Sequence, residues 1–193
     1  MAEQEEQPIT PPDTPLNGQS QTGRAVSLAR LLHRECTHLL QLYKEKETFL
    51  SDHTPEEGRI VSLSHNLETP NAEEQVQLLH SALRQCLGLL HCVILKEEEN
   101  WGGLEGNYET MRKNVRTRLE HLLHSTKELV ETKEVTLEVT PDHHCNEEID
   151  GVGGLFALKM WTYRVLLELI HWADLATQTL HVLHREREGK EEI

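Results

Sequence analysis

The stretch KEEENWGG, Lys96 to Gly103, ends one helical pattern and lets the next begin within a few residues. Gly102 and Gly103 break a helix that enters them, and so short a connection suits only antiparallel neighbours. Before it, Val76, Leu79, Leu83, Cys86, Leu87, Leu90 and Ile94 fall on one helical face and predict a helix over 71–97. Asn71 and Glu74 stand at its start with the spacing of a capping box. After it, Leu104, Tyr108, Met111, Val115, Leu119, Leu122 and Leu129 predict a helix over 104–134.

On the other side of each of these helices lies a long connection. SDHTPEEGRIVSLSHNLETP, Ser51 to Pro70, precedes one, and EVTLEVTPDHHCNEEIDGVGG, Glu134 to Gly154, follows the other. Beyond them are an outer helix over 24–50, with Leu28, Leu32, Cys36, Leu39, Tyr43 and Leu50 on one stripe, and an outer helix over 154–187. Helices of about 25 residues are roughly 38 Å long. About 20 extended residues reach at most roughly 66 Å, enough to return the chain along a whole helix. Long, short, long therefore predicts an all-α, long-chain four-helix bundle of up-up-down-down topology with two crossover loops. Val135, Leu137 and Val139 alternate and predict a short extended segment in the second crossover.

Composition agrees with one such domain. The 193 residues are 37% apolar, enough for a single core. Residues 1–23 are Pro, Gln, Thr and Glu with almost nothing apolar and are expected to form a disordered tail; 188–193 form a polar C-terminal tail. There are 33 acidic side chains against 19 Lys and Arg, a formal charge of −14, which disfavours nucleic acid and anionic membrane as partners. The start MAEQEEQPIT has no basic and no apolar signal region, and the apolar run near Leu87 to Leu95 is shorter than a membrane span, so a cytoplasmic protein is expected.

Cys36, Cys86, Cys92 and Cys145 have no CxxC spacing, and Cys86 and Cys92 lie about 240° apart around a helix. Mostly reduced, buried thiols are expected, the alternative being one bridge from Cys145 to a helix. Thirteen histidines raise a metal-binding alternative. Glu35-x-x-His38 and Glu168-x-x-His171 have the spacing of ferritin-like di-iron bundles, but the inner stripes of the middle helices offer no carboxylate to complete the set. His121 with His124, His181 with His184, and His143-His144-Cys145 are at most weak surface ligands. DGVGG, Asp150 to Gly154, lacks the Lys and glycine spacing of a phosphate loop. No cofactor, no metal and no enzymatic activity are expected. Because histidines titrate near pH 6.5, solubility should fall between about pH 5 and 6 as net charge approaches zero.

The last helix carries an oddity. Leu158, Thr162, Val165, Leu169 and Trp172 share one face, whereas Phe156 lies about 180° from Val165 and Lys159 follows it on the same outward side. The run Gly153, Gly154, Leu155, Phe156, Lys159, Trp161, Val165, Leu166, Glu168, Leu169 and Trp172 resembles the fourth helix of the ciliary neurotrophic factor family, in the leukaemia inhibitory factor branch of the interleukin-6 cytokines. SLARLLHREC, Tyr43-Lys44 and the Pro8–Pro11 segment PITP are similar to the first helix and tail of that family.

The resemblance implies a cytokine or neurotrophic ligand that joins the leukaemia inhibitory factor receptor and glycoprotein 130, triggers JAK-STAT signalling, and supports cell survival or differentiation. It implies Phe156 and Lys159 as the contact with the leukaemia inhibitory factor receptor, and Arg30, Arg34, Gln41, Arg112 and Arg116 as candidates for glycoprotein 130. The family's contacts with ciliary neurotrophic factor receptor alpha use a Trp in the first crossover and arginines late in the fourth helix. This chain has no Trp in that crossover and offers Leu175, Gln178 and His181 instead. The resemblance also implies cytoplasmic storage and unconventional release. The alternative is a non-signalling helical scaffold or metal-binding bundle.

Overall fold

The computed structural model describes residues 20–54, 58–63, 69–103, 105–130, 136–143, 145 and 154–191. Four helices account for most of them: α1 (Gln21–Lys46), α2 (Ala72–Trp101), α3 (Asn107–Val130) and α4 (Gly154–Glu191). A 3-10 turn, Thr48–Asp52, follows α1, and there is no strand among the described residues.

Helices α1 and α2 start, and α2 stops, for local reasons. The Ser20 hydroxyl accepts from the Gly23 amide and opens α1, and Asn71 Oδ1 accepts from the Glu74 amide at 2.8 Å and opens α2. Gly102, at φ 74°, sends its amide back to the Glu98 carbonyl and closes α2 in a conformation that suits glycine.

The predicted stripes are the core. Leu32, Cys36, Leu39 and Tyr43 of α1 meet Val76, Leu83, Leu87 and Leu90 of α2, Val115, Leu119 and Leu122 of α3, and Leu158, Val165 and Leu169 of α4. The central window of α2 is apolar and long enough to cross a membrane, yet 67% of it is buried inside the bundle, as befits a core helix.

Helix directions follow from pairs at the ends. Thr22 near the start of α1 bonds His184 near the end of α4, and Lys46 at the end of α1 pairs with Glu109 at the start of α3. Glu73 at the start of α2 pairs with Arg187 late in α4, and Glu97 near the end of α2 pairs with Arg112 early in α3. Both α1 and α2 therefore run antiparallel to α3 and α4, against which they pack. The bundle is up-up-down-down, as the connection lengths require.

Several expectations are corrected. The tail was expected through residue 23, but α1 starts at Gln21 because Thr22 is buried against α4; residues 1–19, including the PITP segment, lie outside the described residues. The first helix stops at Lys46, not 50, and the last continues through the expected tail to Glu191. The third begins at Asn107, and 131–134 lie outside the described residues. So do Val135, His144 and 146–153, which include most of the DGVGG segment. Residues 136–139 form no strand; α2 side chains, not a strand partner, hold Glu138. Cys92 is not a free thiol: it is disulfide-bonded to Cys145, while Cys36 and Cys86 are free and buried. The spacing of 53 residues conceals the pair because the second crossover lies along α2.

Candidate functional site

At the end of the bundle where α1 and α2 finish and α3 and α4 begin, the chain concentrates its few aromatic rings. There are only two phenylalanines in the sequence, and both are here. The Phe49 and Phe156 rings lie 5.6 Å apart, and His53 sits edge-on to Phe156 at 5.3 Å. Phe156 remains 50% exposed and its neighbour Leu155 51% exposed, the largest apolar side chains offered to solvent at this end. A ring held by others but half uncovered loses little freedom on binding and has apolar area left to bury.

Lys159 underlies this platform. Its Nζ donates to Glu47 Oε2 at 2.9 Å and lies 5.6 Å from the ring centres of both Phe49 and Trp101. The Tyr43 hydroxyl donates to the Lys159 carbonyl at 2.8 Å, tying α1 to the first turns of α4. Lys159 is thus a half-buried strut whose ammonium is engaged within the chain, not the outward-facing cation expected from spacing.

Beneath it is a buried polar layer. Glu97 accepts from the Tyr108 hydroxyl at 2.8 Å and from Arg112 at 2.9 Å. Burial raises the Glu97 carboxyl above its ordinary value, against the lowering pull of Tyr108, Arg112 and Lys46. Burial also pushes both Tyr43 and Tyr108 up, helped by the Glu97 charge, so both hydroxyls stay protonated donors. Lys46 spans the layer, over the Tyr108 ring at 4.8 Å and paired with Glu109 at 3.8 Å.

The other expected site residues fare differently. Arg30, Arg34 and Gln41 are exposed on one face of α1, with Gln41 donating to Glu45. Arg116 is half-buried. Arg112 is corrected: at 4% exposure it belongs to the core, because the adjacent buried Glu97 supplies the countercharge that takes it out of water. Gln178 and His181 are exposed late in α4, Gln178 donating to Asp174 at 2.9 Å. They stand toward the end of α4 opposite Phe156.

Glu168 is not a metal ligand in waiting. It is buried, accepting from Trp172 Nε1 at 2.9 Å and the Val61 amide at 3.3 Å, with Arg59 at 3.5 Å, and so pins the first crossover to α4. Its would-be partner His171 is lowered from its ordinary value by burial and by Arg59. Glu35 pairs with Arg118, and His38 is exposed. Among the described residues no three His, Cys, Asp or Glu side chains converge as a metal site.

Glu47, Phe49, His53 and Trp101 escaped the sequence reading. The one available signal was the scarcity of Phe, which makes each a candidate for a special position. The chain matches no family model and no curated protein.

Proposed function

We propose that the protein is a receptor-binding helical cytokine of the leukaemia inhibitory factor kind. It acts outside the cell by joining a leukaemia inhibitory factor receptor-like ectodomain to glycoprotein 130 and so drives JAK-STAT signalling. The observation that carries the reading is Phe156: half exposed, braced by Phe49 and His53, and continuous with exposed Leu155. That is the form of an interface anchor, a rigid aromatic whose remaining surface is free to be covered by a partner.

Three further features support it. The up-up-down-down bundle leaves both ends and the outer helix faces free for separate partners. The Cys92–Cys145 bridge suits a protein that works in an oxidising environment. Arg30, Arg34 and Gln41 form an exposed face of α1 that can engage the shared subunit, while Gln178 and His181 are the candidates for an alpha receptor.

Binding to the isolated leukaemia inhibitory factor receptor ectodomain tests the proposal. Phe156→Ala should weaken binding by about 30-fold or more, the equivalent of an anchor worth about 2 kcal/mol. Circular dichroism should show unchanged helix content. Equal binding by parent and variant moves the contact elsewhere, and absence of binding by the parent removes this receptor from the reading.

A further inference from the structure

The second crossover is strapped along α2 at four successive levels. His80 Nε2 donates to the Glu138 carbonyl, and Arg84 donates to the Thr140 carbonyl and the Glu138 carboxylate, each at 3.0 Å. The Asp142 amide in turn donates to the Arg84 carbonyl at 3.0 Å. One turn on, Gly88 makes room for the strap backbone: a Cβ there would stand 2.6 Å from His143 Cβ and 2.7 Å from His143 N. One turn further, Cys92 is bonded to Cys145. The two cysteines sit in unlike surroundings: Cys92 is fully buried in α2 and Cys145 is exposed on the strap. The first two levels are polar clamps with no redox-active atom; the last is the covalent tie that keeps the end of the strap, the Asp142 amide included, seated on α2.

We propose that this bridge is a site of thiol–disulfide exchange that takes a low-molecular-weight thiol of the glutathione class at Cys145. The incoming thiolate attacks the sulfur of Cys145, the exposed residue of the pair, and forms a new S–S bond as the Cys92–Cys145 bond breaks. The electron pair leaves with Cys92, which takes up the proton the incoming thiol gave up and remains as a buried thiol. A second equivalent of thiol releases Cys145 as a thiol and departs as its own disulfide. Two electrons pass from the small thiol to the protein. The consequence is local, because the helices bury their core without the strap's last turn. Reduction frees His143 and Cys145 from α2 while the helices persist, so the same chain holds these residues differently in reducing and oxidising surroundings. This inference is independent of the receptor reading.

The test uses the full chain, oxidised, incubated with reduced glutathione under native conditions and then mapped by mass spectrometry and amide hydrogen exchange. The expected product carries the glutathione adduct on Cys145, with a free thiol at Cys92. Full reduction should speed exchange of the Asp142 amide by about tenfold or more while core amides of the helices stay protected. Cys36 and Cys86 are internal controls: burial pushes both thiols well up, and they should stay unmodified. Cys145→Ser should reproduce the reduced pattern without any reductant. An adduct on Cys92, reaction only after denaturation, modification of Cys36 and Cys86 at the same rate, or unchanged Asp142 exchange on reduction would each overturn the proposal.

Discussion

Lys159 Nζ reaches across 112 residues of sequence to donate to Glu47 Oε2 at 2.9 Å. The bond joins the C-terminus of α1 to the first turns of α4 and fixes the level at which Phe49 meets Phe156. Lys159 is therefore a positioning residue for the aromatic platform. Glu47→Ala and Lys159→Ala should each lower stability by about 1 kcal/mol, a modest figure because the pair is partly wet. Both should weaken receptor binding by a similar factor, and the exchanged pair Glu47→Lys with Lys159→Glu should recover part of each loss. Loss confined to Lys159→Ala would mean that its ammonium meets the receptor directly.

Glu168 holds the first crossover through the Val61 amide and the indole of Trp172. Glu168→Ala strands both donors, of which the indole is buried, and releases Arg59. Unfolding in urea should show a loss of about 3 kcal/mol, whereas Glu168→Gln, which keeps an acceptor, should lose less. Equal losses would deny the hydrogen bonds their role.

Arg112→Ala removes the charge that faces buried Glu97 and should cost about 3–5 kcal/mol at neutral pH. Within the parent, Glu97 has a raised folded value, so between its ordinary 4.5 and that value the folded state holds a proton that the unfolded chain has released. Its contribution is thus greatest at low pH and declines as pH rises through the window. The Arg112→Ala penalty should accordingly shrink on acidification, when Glu97 takes up a proton and no bare charge is left. Denaturant curves at neutral pH and near pH 4.5 measure the difference.

His80 shows the opposite sign. Burial, with Arg84, Lys127 and His124 nearby, lowers it from 6.5, against the pull of its bond to the Glu138 carbonyl. The neutral ring keeps its hydrogen on Nε2 for that carbonyl, and Nδ1 accepts from the Thr126 hydroxyl at 2.6 Å. Below about pH 6.5 the unfolded chain gains a proton that the folded state resists, so stability falls as pH falls toward the folded value. His80→Gln should flatten that decline between pH 7.5 and 5.5; an unaltered slope would assign it to other histidines, such as His171.

Gly88→Ala gains helix propensity of about 1 kcal/mol in α2 but drives a methyl into the His143 backbone. Helix content should be unchanged while the Asp142 amide loses protection, since the strap is the part that must yield.

Local periodicity and chain reach are properties of the sequence itself, and they determined a good deal here. The stripes at Val76–Ile94 and Leu158–Trp172 repeat every three or four residues because one helix face must be dry, and they are the buried faces. Two long connections and one short one allow only one order of directions. Even the burial of Arg112 was implicit in its place between Tyr108 and Val115 on the core stripe, though its charge argued for the surface. What only the tertiary structure decided are pairings between distant positions: Lys159 with Glu47, Glu168 with Val61, Cys92 with Cys145. Each depends on the path a crossover takes over a helix and on the level at which it stops. That path is set by the summed packing of the whole bundle, and no spacing within a single segment records it.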